Sequence, residues 1–150
     1  MCDHRGEPMA DVFDVAQYIL EQQGEMTAMK LQKLTYYAQA WHIAWTDNIL
    51  FNNRIEAWAD GPVSPELFSK HRGAFRVSTV RGANSAALTD DERDTVQRVL
   101  KFYGDKSPQW LSDLTHMESP WLSARRGVPD RAQSKNEITP KSMGEYYASL

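Results

Sequence analysis

A single cysteine, Cys2, stands near the start of the 150-residue chain. One cysteine excludes an intrachain disulfide framework and a thiolate zinc site. No apolar run approaches the ~18 residues of a membrane-crossing helix, and the opening MCDHRGEP lacks the apolar stretch of a secretion signal. Both features predict a soluble cytoplasmic protein. Basic residues are not in excess: the formal net charge is −3, which argues against a general nucleic-acid binder.

Catalytic motifs are missing as well. The chain contains no G-x-S-x-G elbow and no HExxH. Gly73 and Gly82 lack phosphate-loop spacing. His116 and Glu118, two apart on an expected helix, point about 200° away from each other and are poorly placed to ligate one ion. His42 or His71 would join His116 only through the fold. Glu56 and Asp60 are the carboxylates that glycosidase-type chemistry would call on, but they read as solvated or salt-bridged. No nucleophile, base and orienter can be assigned. The expectation is a non-enzyme without metal or cofactor, with a metal-dependent enzyme as the remaining alternative.

What the chain does have is aromatic: five Trp, six Tyr and five Phe. Two of the tryptophans fall in Met29–Thr46, the stretch around which the rest is organised. Set at 100° per residue, Leu31, Leu34, Ala38, Trp41 and Trp45 form one stripe. Tyr37, Ala44, Ile43, Tyr36 and Ala40 extend the apolar surface around the back. The narrow polar arc holds Gln32, Thr35, Gln39, His42 and Thr46. A helix apolar over most of its circumference belongs in the middle of a domain. Its uncharged arc is either hydrogen-bonded inside the protein or covered by a partner. Thr27 reads as N-cap, with Met26 and Leu31 as a hydrophobic staple.

Residues 1–9 read as a flexible leader, and 10–150 as one domain. Asp11–Gln23 forms a first helix with Val12, Val15, Ala16, Ile19 and Leu20 on one face, stopped by Gly24. Ile49–Phe51 and Arg54–Trp58 read as a hairpin around Asn52-Asn53, followed by a turn at Asp60-Gly61-Pro62. Ser64-Pro65, Ser107-Pro108, Ser119-Pro120 and Thr139-Pro140 each open a helix with a hydroxyl cap and proline in the first turn. These run to about His71, Glu118, Arg126 and the chain's end. Phe75–Val80 is a candidate strand and Gly82–Ala87 a loop. Thr89 to Glu92 is a capping box opening a helix to Tyr103, with Val96, Val99, Leu100 and Tyr103 inward. Gly127–Glu137 reads as an exposed, mobile loop. The predicted fold is mainly α: a single compact helical domain around a buried central helix, with a small β-hairpin.

Three stretches together resemble a known family. They are Lys30–Leu34 with Tyr36–Trp41; Ile55–Trp58 with Asp60–Val63; and Leu114–His116 with Glu118, Pro120-Trp121 and Ala124-Arg125. In that order and spacing they resemble the Panacea domain of SocA-like antitoxins, which includes phage-associated proteins. The resemblance spans roughly residues 10–147. It implies a bacterial or prophage toxin–antitoxin system in which the chain neutralises a cognate protein toxin, commonly encoded by an adjacent gene, by direct binding. It also implies, as an alternative, a proteolytic adaptor that delivers the toxin to a ClpXP-type protease. No catalysis, cofactor or membrane is implied. Members often carry an added N-terminal segment or DNA-binding domain; residues 1–9 read only as a short leader, so autoregulation by DNA binding is not among the expectations. Gln32, Gln39, His42, Trp58, Asp60, His116 and Trp121, the polar or aromatic residues inside these stretches, are the candidate partner contacts. The alternative for the third stretch is structural: a tight helix corner with Trp121 in the core and His116 bonded to a backbone carbonyl.

Overall fold

The computed structural model describes residues 9–150; the leader expected at 1–9 lies almost wholly outside the described residues. Seven α-helices are described: α1 Val12–Gln23, α2 Ala28–Thr46, α3 Pro65–His71, α4 Asp90–Tyr103, α5 Pro108–His116, α6 Ser119–Ala124 and α7 Pro140–Ala148. Five short strands accompany them: β1 Met26–Thr27, β2 Ile55–Trp58, β3 Gly61–Val63, β4 Arg76–Val77 and β5 Glu137–Ile138. The fold is mainly α with a minor β component, as the sequence predicts. Among the described residues no helix is long and apolar enough to cross a membrane.

Helix α2 is the axis of the body. It packs most extensively on α7 and α4, and also on α1 and α5. Leu31, Leu34, Tyr37, Ala38 and Ala40 are wholly inaccessible to solvent. The start signals operate as read. Thr27 accepts the Lys30 N–H, Asp11 and Thr89 form capping boxes, and Ser64, Ser107 and Thr139 each cap a helix that has proline in its first turn. Gly24 ends α1 at φ 87°, a backbone geometry that costs other residues more.

The stripe on α2 ends earlier than its spacing suggests. Trp41 is half-buried and Trp45 is 45% exposed. Helix α2 outruns the body it crosses, and Trp45 is covered by Trp41 at 5.2 Å and by the Arg98 guanidinium at 5.6 Å.

The expected hairpin between Ile49–Phe51 and Arg54–Trp58 does not form. Strand β2 instead pairs antiparallel with β3 (Glu56 opposite Val63, Trp58 opposite Gly61) and with β5 (Ile55 opposite Ile138). Two side chains explain the difference. Gln39 Oε1 accepts the Leu50 N–H at 2.7 Å and its Nε2 donates to the Phe51 carbonyl at 2.7 Å, which holds that segment on α2. Asn53 Oδ1 accepts the Val12 N–H at 2.9 Å and so serves the start of α1, not a hairpin turn. The real turn is Ala59-Asp60, and Gly61 to Val63, expected to continue the turn, is strand. Phe75–Val80 contributes only the two residues of β4, which pair with β1. Gly82–Ala87 ends in a 3-10 turn, Ser85–Ala87. The Gly127–Glu137 loop is largely exposed but anchored: the buried Arg125 donates to the Pro129 and Ala132 carbonyls, and Ser134 is buried.

Candidate functional site

The β2–turn–β3 hairpin carries an unusual set of bonds. Side chains from helices far away in sequence take its backbone carbonyls one after another. Arg125 Nη1 donates to Ala57 O at 2.9 Å and Trp121 Nε1 to Trp58 O at 2.9 Å. His116 Nε2 donates to Ala59 O at 2.9 Å, Ser112 Oγ to Asp60 O at 2.8 Å and Lys33 Nζ to Pro62 O at 3.2 Å. Gln32 adds a two-point grip on Ser64, accepting its N–H at 2.9 Å and donating to its carbonyl at 3.2 Å. The three motif stretches are therefore one structure. The first and third, with Ser112 just ahead of the third, supply the side chains that hold the backbone of the second.

Packing reinforces the grip. His116 stacks at a tilt on Trp121, ring centroids 4.2 Å apart, and the Arg125 guanidinium lies 5.0 Å from the Trp121 ring. Gly61 sits at φ 119°, and a Cβ there would come within 2.7 Å of Lys33 Cε and 3.1 Å of Thr115 Oγ1. Only a glycine allows the lysine stem to lie against the hairpin.

The exposed Ala59-Asp60 turn separates two cavities that share Met29, Ala59 and Asp60. The first, about 320 Å³, is lined by Gln32, Lys33, Trp58, Val63, Phe68 and His71 among others. Trp58 and Phe68 form its aromatic wall, ring centroids 5.1 Å apart. The second, about 630 Å³, is polar and is lined by Gln109, Ser112, Asp113, His116, Trp121, Asp130 and Arg131. A separate apolar groove of about 520 Å³, between Trp41, Trp45, Phe102 and Trp110, contains none of the candidate residues.

Two buried polar centres underlie the turn. Lys33 is only 2% exposed, and burial pushes its pKa down to about 8 despite the attraction of Asp60. His71 Nε2 lies 3.0 Å from Gln32 Nε2. Since Gln32 Oε1 is occupied by the Ser64 N–H, its amide must donate to His71, which places the His71 proton on Nδ1 and keeps the ring neutral. Burial lowers the His71 pKa in the same sense. On the far side of α2, Glu118 Oε1 accepts the Tyr37 hydroxyl at 2.7 Å and the Tyr147 hydroxyl at 2.8 Å. Tyr36 bonds Tyr147 at 3.0 Å, and Tyr37 stacks on Tyr103 at 4.2 Å. Burial raises the Glu118 pKa, an effect the two tyrosine bonds oppose.

The candidate contacts fall into two groups. Trp58, Asp60, His116 and Trp121 come together around the turn, and Gln32 reaches the first cavity from α2. Gln39 and His42 lie elsewhere, 2% and 4% exposed, bonded to the Leu50-Phe51 backbone and to Thr95. Any contact of theirs with a partner would first have to break these bonds. The polar arc of α2, from Gln32 to His42, is thus bonded inside the protein. Trp121 is 7% exposed and His116 bonds backbone carbonyls at both ring nitrogens, so each also serves the helix corner. Lys33, Ser112 and Arg125 are the site residues that pattern reading did not single out. A signal existed for Lys33. At 100° per residue it falls about 20° from Ala40, within the apolar side of α2, where a lysine has no solvent to reach.

Among the described residues no three His, Cys, Asp or Glu side chains are grouped so as to hold a metal ion. A family model for the Panacea domain of SocA-like antitoxins matches residues 31–122, more than half of the chain, from within α2 to Leu122 in α6. No curated protein and no solved structure matches.

Proposed function

We propose that this chain, which belongs to the family of SocA-like antitoxins with a Panacea domain, neutralises a cognate protein toxin by binding it directly at the Ala59-Asp60 turn and its two flanking cavities. The observation that carries this reading is the grip on the hairpin. Five consecutive or near-consecutive carbonyls are fixed by side chains of α2, α5 and α6. A recognition loop whose backbone is fixed before the encounter loses little freedom on binding. Trp58 and Asp60 present an aromatic edge and a charge on that fixed backbone, and His116 and Trp121 form the adjoining wall. The role is one of binding, not turnover.

The test is a growth assay with the open reading frame adjacent to the gene. Expression of the neighbour alone should arrest growth and co-expression should restore it. Asp60→Arg removes the attraction of Asp60 for the buried Lys33, so a melting curve first establishes that the variant is folded at the assay temperature; the folded variant should abolish the rescue. Rescue by Asp60→Arg at wild-type level would remove the turn from the interface. Repeating the assay in a host without the ClpXP unfoldase separates the mechanisms. Unchanged rescue indicates sequestration, and lost rescue indicates delivery to a protease.

A further inference from the structure

The Lys33 cavity has a feature that toxin binding in general does not require. Its floor is a lysine that is 2% exposed, and among the described residues its ammonium bonds only the Pro62 carbonyl. An ammonium has three donors. The other polar side chain on the floor, Gln32, is committed on both ends to Ser64 and His71. The indole N–H of Trp58 is likewise committed, to Glu56 Oε1 at 2.8 Å. Apart from the Gln133 amide on the exposed loop, the free hydrogen-bonding capacity of these side chains is the Lys33 ammonium, and it lies beneath an aromatic wall formed by Trp58 and Phe68.

We infer that this cavity is a receptor for a carboxylate carried on an aromatic or apolar body, the carboxylate seated on Lys33 and the body against Trp58 and Phe68. A volume of about 320 Å³ suits one such side chain or chain end and little more. His71, neutral through its bond from Gln32, adds no charge. Asp60 is the single acidic residue lining the cavity, and it stands exposed at the mouth, where its charge weakens the binding of any anion. The inference names the chemistry of one part of the surface proposed above. It rests on that reading only for the identity of the molecule that delivers the carboxylate.

The experiment uses the protein alone, so its failure is distinct from failure of the toxin assay. N-acetylphenylalanine, its neutral amide, and the peptide Gly-Ser-Gly-Phe with a free C-terminus are titrated while amide and indole NMR signals are followed. The expected result is saturable binding of the acid in the millimolar range, with shifts centred on Trp58, Gly61 and Phe68, and at least tenfold weaker binding of the amide. Lys33→Met should lose the preference for acid over amide. Asp60→Asn should tighten the acid severalfold and leave the amide unchanged. Binding of the peptide as tight as that of the acid assigns the site to a polypeptide end; binding of the small acid alone assigns it to a free metabolite. Equal affinity for acid and amide, or an acid preference that survives Lys33→Met, overturns the inference.

Discussion

Replacing Lys33 with methionine should make the protein more stable. The lysine is fully buried, and its pKa is lowered from 10.5 to about 8. Because each pKa unit corresponds to 1.36 kcal/mol, holding the charge in the folded state at pH 7 costs about 3 kcal/mol. Methionine keeps the unbranched stem that packs against Gly61 and removes the charge. It also removes the bond to the Pro62 carbonyl, which returns about 1–2 kcal/mol of that gain. The net expectation for Lys33→Met is a stabilisation of about 1–2 kcal/mol, or a rise of roughly 2–8 °C in melting temperature for a chain of this size. The pH dependence gives a second check. A lysine whose folded pKa lies below its unfolded value releases its proton first in the folded state. Between pH 8 and 10.5 the unfolded chain therefore binds more protons, and the wild type gains stability as pH rises. The methionine variant has no such gain, so its advantage should shrink to near zero by about pH 9.5. Tyrosine ionisation affects both proteins and cancels in the difference. Urea unfolding followed by tryptophan fluorescence at pH 7 and pH 9.5 measures both quantities. A variant less stable at pH 7, or a difference that does not change with pH, would refute the assignment of Lys33 as a strained buried cation.

Three further outcomes follow from the same geometry. Gln39→Ala strands the Leu50 N–H and the Phe51 carbonyl inside the protein and should cost about 2–4 kcal/mol in urea unfolding; a loss below 0.5 kcal/mol would show that water replaces the amide. Glu118→Gln preserves an acceptor for Tyr37 and Tyr147. The Glu118 pKa is raised, so the wild type loses stability as pH climbs from 4.5 through the folded value, and the variant should gain an advantage across that interval and none below it. Gly61→Ala must relieve both a positive φ and a clash with Lys33; it should destabilise by about 1–3 kcal/mol, and Gly61→Ala combined with Lys33→Met should cost less than Gly61→Ala alone.

Helix starts were the most legible feature of the sequence, because a hydroxyl cap followed by proline acts through the first turn alone. Ser64, Ser107 and Thr139 needed no tertiary information. Ser119-Pro120 marks α6 too, although the cap falls one residue earlier, at Glu118, which turns its carboxylate inward to the tyrosines instead of capping. The hairpin was misplaced because what decides it is not local. Asn52-Asn53 has good turn chemistry, but Gln39 holds the Leu50 and Phe51 backbone and the Val12 N–H at the start of α1 donates to the Asn53 side chain. The site was half legible. Trp58, Asp60, His116 and Trp121 stood out by residue type, and the fold does gather them. Their common purpose was hidden, since a side chain that bonds a carbonyl fifty residues away leaves no spacing to read. Lys33 is the opposite case: its position on an apolar helix face was readable from periodicity alone.

The bonds that fix the hairpin end on backbone oxygens, and every residue type carries one. Side chains at residues 58–60 can therefore change while the carbonyls that the anchors hold remain, provided Gly61 stays; only the charge of Asp60, which attracts Lys33, acts on an anchor. The side chains that do the anchoring sit on α2, α5 and α6 and, with Arg125, at the C-cap of α6, outside the turn itself. The tip, Ala59-Asp60, and the side chains that hold its backbone are thus different residues. Such a molecule can acquire a new specificity by substitutions at its tip while its folding problem stays the same, and a library randomised at Trp58, Ala59 and Asp60 would draw on that separation directly.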